Sequence, residues 1–325
     1  MAPDRDTTRL MQRLAGDAIT LTAGLRTPID LDVVAERLGL QTAWGESRIL
    51  PAEGQLLRGA AGWTVAVADS KAGRPRARFT MAHEIGHYLL ETYGIPRPAT
   101  EGDYWRTEEL CHYFAGHLLV PPVAVGWVAE APSSGPLEVL RRAALAAKRT
   151  AVSPQALSHR LGDEIHCCAF SEISLRPPSP RARGVIRWSV EKNFSWLGMG
   201  PRSHVRADHY LAPALAALRE AAPGEIRTGY LNGLPAAAVR RFETIWLVGL
   251  EPALLERDPD RNLAQLCFPV LRSDRVGAPP LPSAPHPGIE CEVISGAATG
   301  SRSSVAVAQA ADHGARWVAS SQGSA

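Results

Sequence analysis

Residues 83–87 are His83-Glu84-Ile85-Gly86-His87, a spacing that is typical of two metal-binding histidines on one helix. In an α-helix, residues four positions apart lie on the same face, so both imidazoles can reach one metal ion. Glu84 is turned about 100° around the helix, where it can hold a water bound to that ion. The alternative interpretation is two histidines on a partly buried helix face that are satisfied by ordinary hydrogen bonds.

A zinc site needs a third protein ligand, commonly a carboxylate from a second helix, and the following helix offers one. Glu108 shares a helical stripe with Cys111, Ala115 and Leu119. Because that stripe is apolar, we expect the Glu108 carboxylate to point inward and to need a partner such as a metal ion. The neighbouring Glu109 lies on a more polar stripe and is expected either to be solvated or to support the metal ligands without binding the ion.

Several separate segments resemble the ImmA/IrrE family of zinc metallopeptidases. They occur in the family's order and cover about the first half of the chain. The segments are TPIDL at 27–31, AERLG at 35–39, RARFTMAHEIGH at 76–87, EELCHYFAGHLLVP at 108–121 and VSPQALSHRL at 152–161.

The resemblance implies a role for each residue of the motif. His83, His87 and Glu108 would bind zinc, with manganese as an alternative ion, and Glu84 would be the catalytic base. One position departs from the family, because His112 stands where relatives usually have Asn or Asp. His112 could compete as a metal ligand, support the ligands or donate to an oxyanion, or it could simply replace another polar helix residue. Tyr88 and Tyr113 are the other candidate oxyanion donors, and the sequence does not rank the three.

The same resemblance implies a biological role. Family members cleave a helix-turn-helix repressor and thereby derepress genes of stress response or mobile-element transfer. By analogy, the expected partner is a protein substrate of that kind. The competing hypothesis is a non-catalytic regulatory or DNA-binding protein with a structural metal site. An intact Glu84 favours the enzyme, because a binding protein has no use for it.

Composition agrees with a protein substrate rather than with nucleic acid. The chain has 325 residues, with 35 Lys and Arg against 33 Asp and Glu, so bulk charge does not hold it to nucleic acid or to a membrane. Five cysteines without a Cys-x-x-Cys pair favour a reducing compartment, and no secretory or membrane-spanning stretch stands out. The cytoplasm is therefore the expected location.

The predicted fold class is α+β. We expect a zincin-like metallopeptidase core, a helical extension that could contain a helix-turn-helix, and a separate C-terminal α+β domain. The predicted boundaries are the core at 1–125, the helical extension at 126–172, a Pro-rich linker at 173–184, the C-terminal domain at 185–275 and a mostly disordered tail at 276–325.

Two further features are ambiguous. Basic residues at 141–142 and 148–149, followed by the SPQALSHRL helix, could contact DNA, although a solvated face or a repressor-docking surface is favoured. The C-terminal domain could be a GAF-like sensor, because one branch of the family carries such a domain. It has no GAF-specific motif, however, and its tryptophans are more typical of a core.

Overall fold

A computed structural model describes most of the first 251 residues. The described ranges are 5–22, 27–45, 53–68, 74–95, 98–176, 181–191, 196–197, 199, 201–206, 208–231 and 234–251. They all belong to one compact unit, Met1–Pro282. The second unit, Ser283–Ala325, and the predicted disordered tail at 276–325 lie outside the described residues.

The N-terminal part combines helices with a small three-stranded sheet. Its elements are α1 (Arg5–Thr20), α2 (Leu31–Arg37), β1 (Gln41–Trp44), β2 (Gly54–Gly59), β3 (Gly62–Val67), α3 (Pro75–Thr92) and α4 (Glu101–Leu119). The strand order is β1-β3-β2, with β1 parallel and β2 antiparallel to β3. α3 packs against β2, β3 and α4, so the sheet and α4 lie on either side of the helix that carries the His-Glu-x-x-His motif.

Local sequence signals explain how the short helices begin and end. Asp30 caps α2, because its Oδ1 accepts hydrogen bonds from the backbone N–H groups of Asp32 and Val33. Gly39 follows α2 with φ +76°, a left-handed conformation that glycine adopts without a steric cost.

Three α-helices and a 3₁₀ turn follow the motif helices. They are α5 (Pro122–Ala129), the 3₁₀ turn Pro132–Ser134, α6 (Pro136–Thr150) and α7 (Pro154–Glu164). Ser153 caps α7, because its hydroxyl oxygen accepts from the N–H of Ala156 at 3.1 Å. Only residues 151–153 separate α6 from α7, as in a helix-turn-helix.

The C-terminal part is an antiparallel six-stranded sheet with one further helix. Its elements are β4 (Cys168–Ser174), β5 (Ala182–Val190), β6 (His204–Arg206), α8 (Ala212–Glu220), β7 (Ile226–Leu231), β8 (Leu234–Arg241) and β9 (Thr244–Leu250). The strand order is β6-β5-β4-β9-β8-β7. α6 packs against β8 and β9, and α8 packs against β5 and β8. The α+β class and the separate C-terminal sheet are therefore confirmed.

The segment predicted as an interdomain linker has a different structure. Residues 173–174 end β4 and residues 182–184 begin β5, and these two strands pair directly in one sheet. Cys168, which the sequence placed in the helical extension, already belongs to that sheet. Residues 177–180, which hold the three prolines of this stretch, lie outside the described residues.

One hydrophobic core runs from the N-terminal helices to one face of the C-terminal sheet, where it includes Trp188 and Trp246. The other face of the sheet packs on a second core around Trp196 and Leu215. Both faces are therefore covered, and the tryptophans are core residues, as the sequence favoured.

Within the described part of the chain, no single helix is long and apolar enough to cross a membrane. α4 together with the following segment to Ser134 passes a test of length and composition, but the two parts are bent by 79°.

Candidate metal centre

The helix that carries the motif begins earlier than its apolar pattern indicates. We predict a start near Phe79, whereas α3 begins at Pro75, a residue favoured at the first helical position because it has no N–H to leave unpaired. Over its 18 residues, α3 buries Ala82, Ile85 and Leu89. His83 and His87 lie on one face, and their Nε2 atoms are 3.1 Å apart.

α4 brings a carboxylate to these two imidazoles. Glu108 Oε2 lies 3.2 Å from His83 Nε2, and Glu108 Oε1 lies 3.4 Å from His87 Nε2. The three side chains are only 12%, 25% and 18% exposed in the order His83, His87 and Glu108. Glu109 is exposed, as predicted.

Gly86 allows the two helices to come this close. A Cβ atom at Gly86 would lie 3.2 Å from the Cα of Cys111 and 3.3 Å from Cδ1 of Phe114. Such separations are tighter than ordinary carbon–carbon contacts of about 3.5–4.0 Å. Because Cys111 is one turn beyond Glu108, the glycine in the motif fixes the distance of this carboxylate from the histidines.

The separations between the donor atoms fit a single zinc ion. Four ligands at about 2.0–2.2 Å in tetrahedral geometry are separated by roughly 3.3–3.6 Å. The three edges of the His83–His87–Glu108 triangle, 3.1, 3.2 and 3.4 Å, are close to that range. Imidazole nitrogen and carboxylate oxygen are also the ligand types that zinc prefers in catalytic sites.

His112 belongs to the same cluster. Donor atoms of His83, Glu108 and His112 lie within 4.8 Å of one another, so this group could also bind a metal. His112 is exposed and stacks on Phe79, with ring centroids 5.7 Å apart. Although the residue as a whole is exposed, its ring lies against Phe79 and His83, and the partial desolvation of the ring and the charge of His83 lower the pKa of His112.

Two carboxyl groups in this cluster are held in different states. Burial raises the pKa of Glu108, but hydrogen bonds from His83 and His87 outweigh it and hold that pKa well below its usual range. The pKa of Glu84 is raised, mainly by burial, although the two histidines lower it and the Glu108 carboxylate raises it. The difference keeps Glu108 anionic and makes Glu84 the stronger base of the two.

Glu84 is positioned by the edge of the small sheet. Its carboxylate accepts a hydrogen bond from the backbone N–H of Leu56 in β2. A Cβ at Gly54 would overlap the Thr80 side chain and lie 3.0 Å from Glu84 Oε1, so only glycine lets β2 approach α3 here. Among the described residues β2 is an edge strand, and its second edge pairs with no other strand.

A comparison with protein families matches the part of the chain that carries this geometry. A peptidase family model described as "IrrE N-terminal-like domain" matches residues 32–162, which include both motif helices. Residues 32–162 are an IrrE N-terminal-like domain. A transcriptional regulator from Mycobacterium tuberculosis is similar in structure, with 18% sequence identity, a TM-score of 0.47, and coverage of 77% of this chain and 78% of that one. No curated protein matches this chain.

Two of the predicted oxyanion donors lie elsewhere in this IrrE N-terminal-like domain. The Tyr88 hydroxyl donates to the carbonyl of Leu38 at 3.0 Å, and its ring contacts Trp63. Tyr113 packs on His117, with ring centroids 4.2 Å apart. Of the three candidates, His112 is the one that the structure brings beside His83, with ring centroids 4.6 Å apart.

The sequence analysis did not identify Tyr104, which lies one turn before Glu108. Partial burial and the negative charge of Glu108 raise the pKa of Tyr104, and its hydroxyl interacts with the Glu108 carboxylate. The side chain is 44% exposed, so it is also accessible to a substrate. Recognising Thr100 as an N-cap, with Asp103 three residues later, would have placed Tyr104 on α4 and on the Glu108 face.

Proposed function

We propose that this protein is a metal-dependent endopeptidase that hydrolyses a peptide bond in a protein substrate. The observation that carries the proposal is the triangle of His83, His87 and Glu108 with Glu84 directly beside it. The IrrE N-terminal-like domain, which belongs to a peptidase family, supports the same reaction class.

The three ligands would hold zinc, or manganese, and the bound ion would polarise the scissile carbonyl and acidify a water molecule. Glu84 accepts the proton of that water during attack and delivers it to the leaving amine. Its raised pKa suits both steps, because a base with a pKa closer to neutrality takes up and returns a proton efficiently. Tyr104, whose hydroxyl interacts with Glu108, and His112, which lies beside His83, would be the donors to the oxyanion.

The free edge of β2 supports a protein substrate in an extended conformation. Backbone N–H and C=O groups at an unpaired strand edge can pair with a peptide added as a further strand. Because Leu56 of this strand also hydrogen bonds to Glu84, a peptide paired here would lie next to the catalytic carboxylate. We propose a helix-turn-helix transcriptional repressor as the substrate, with derepression of stress-response or mobile-element genes as the outcome.

A non-catalytic regulator with a structural metal site is the second candidate, and direct DNA binding would belong to it. α6 and α7 resemble a helix-turn-helix, but the outer surface of α7 offers little positive charge. Gln155, His159 and Glu164 are exposed, whereas Arg160 is 3% exposed and pairs with Glu164. Specific DNA binding relies on basic side chains that reach phosphates, so this surface favours the peptidase.

The proposal is tested with purified protein loaded with zinc or manganese. It is incubated with each helix-turn-helix repressor encoded in neighbouring genes, and the products are mapped by mass spectrometry. We expect one repressor to be cut at a defined site, and a chelator to abolish the cut. If the metal-loaded protein binds a repressor but cuts none, the non-catalytic regulator is the better description.

A further inference from the structure

A cavity of about 250 Å³ opens on the N-terminal part, and none of His83, Glu84, His87 and Glu108 lines it. Its apolar walls are Pro28, Ile29 and Leu31 near the start of α2 and Trp44 at the end of β1. Arg78, in the first turns of α3, also lines it. Asp30 and Asp32 add two carboxylates to the same walls. Water occupies about 30 Å³ per molecule in the liquid, so the cavity suits one small molecule of roughly eight water volumes.

Arg78 is a buried cation whose hydrogen-bonding capacity is only partly used. The residue is 8% exposed. One terminal nitrogen donates to the carbonyl oxygen of Ile29 at 2.8 Å, and the Nε–H has no partner among the described residues. A guanidinium removed from water without a carboxylate partner is costly, and proteins retain such groups mainly where a ligand or another charge meets them.

The two carboxylates of the cavity are fixed in place but do not pair with Arg78. Asp30 is held by the N–H groups of Asp32 and Val33, and Asp32 accepts from Trp44 Nε1 at 3.2 Å. Within the described ranges, neither carboxylate forms an ion pair with Arg78. They are near enough to raise its pKa, although burial lowers that pKa more strongly. The cavity therefore presents one buried cation and two exposed, hydrogen-bonded anions that form no ion pair with it among the described residues.

We propose that this cavity binds a free α-amino acid, with its carboxylate on Arg78 and its ammonium group at Asp30 and Asp32. A simple anion would meet the two aspartates, and a simple cation would meet the arginine, so only a ligand that carries both charges complements the walls. The indole of Trp44 offers a surface for the ammonium group and for the side chain of the ligand. This site is independent of the proposed peptidase reaction.

The test uses the full-length protein and each of the twenty amino acids in turn, with the melting temperature and isothermal titration calorimetry as readouts. We expect saturable binding of at least one amino acid at one site per chain. Its N-acetyl derivative lacks the ammonium group and its amide lacks the carboxylate, and both should bind at least tenfold more weakly. Absence of binding by all twenty would overturn the proposal.

Two variants connect the binding to this cavity. Asp32→Asn keeps an oxygen that can accept from Trp44 but removes the charge, so we expect the affinity to fall at least tenfold while the melting temperature without ligand stays within a few degrees. Glu36→Gln removes an exposed carboxylate of α2 that does not line the cavity and should bind like the wild type. An unchanged affinity in Asp32→Asn would place the ligand elsewhere and refute the assignment.

Discussion

Gly86 makes the strongest structural prediction, because its missing side chain sets the distance between the two motif helices. In Gly86→Ala, the new Cβ would lie 3.2 Å from Cys111 Cα and 3.3 Å from Phe114 Cδ1. Restoring ordinary contacts of about 3.5–4.0 Å requires the helices to separate by roughly 0.3–0.8 Å. Metal–ligand distances tolerate about 0.2 Å, so the Glu108 carboxylate would leave its bonding position.

Gly86→Ala is expected to change the metal affinity more than the free energy of unfolding. Overpacking destabilises by about 1–3 kcal/mol. Alanine regains about 1 kcal/mol of helix propensity, which leaves a net loss of about 0–2 kcal/mol in the free energy of unfolding. Metal affinity should fall by about tenfold or more, the size of effect seen when the support of a ligand is lost.

A matched control separates these effects. Gly116→Ala lies in the same pair of helices, but a Cβ there meets nothing within 4 Å. We expect this variant to gain stability, up to about 1 kcal/mol, and to bind metal like the wild type. Zinc affinity is measured by competition with a chromogenic chelator, and stability by urea unfolding followed by circular dichroism. If Gly86→Ala behaves like Gly116→Ala in both assays, helix spacing does not position Glu108.

Two other residues make independent predictions. Burial and the nearby Arg160 lower the pKa of His117 to about 3. The His117 side chain therefore stays neutral in the folded state at pH 5, whereas in the unfolded state it binds a proton as the pH falls below about 6.5. The wild type should therefore lose about 2 kcal/mol of unfolding free energy between pH 6.5 and pH 5.0 through this residue. Urea unfolding at several pH values should show that loss in the exposed control His204→Gln but not in His117→Gln. Equal pH dependence of the unfolding free energy in the wild type and His117→Gln would contradict this prediction. Tyr104→Phe should lower kcat about 10²-fold and leave KM and the metal content unchanged. The control Tyr93→Phe, at the exposed end of α3, should have no effect. A change in KM alone would make Tyr104 a substrate-binding residue instead.

The site could be predicted from the sequence where its geometry is local. The spacing of His83 and His87 is a property of one helix, and the apolar stripe around Glu108 indicated which carboxylate points inward. The structure brings these three side chains together. Gly86 could not be interpreted in advance, because its role depends on how closely α4 packs.

The elements that were missed depend on contacts distant in sequence. β2 reads GQLLRG, which has no β-branched residue and no alternation, so nothing local predicts a strand. It forms because it pairs with β3 and packs on α3. The hydrogen bond that β2 donates to Glu84 through Leu56 depends on this tertiary arrangement. β5, by contrast, alternates between buried and less buried residues along ARGVIRWSV, a local pattern that the Pro-rich stretch before it obscured.

The central claim is that Glu84 performs proton transfer beside a metal held by His83, His87 and Glu108. The most direct measurement compares repressor cleavage by the wild type and by Glu84→Gln, with the bound zinc of both samples determined by mass spectrometry. The account predicts one zinc per chain in each and a loss of cleavage by several orders of magnitude in Glu84→Gln alone. Equal cleavage rates in the two zinc-loaded proteins would contradict it.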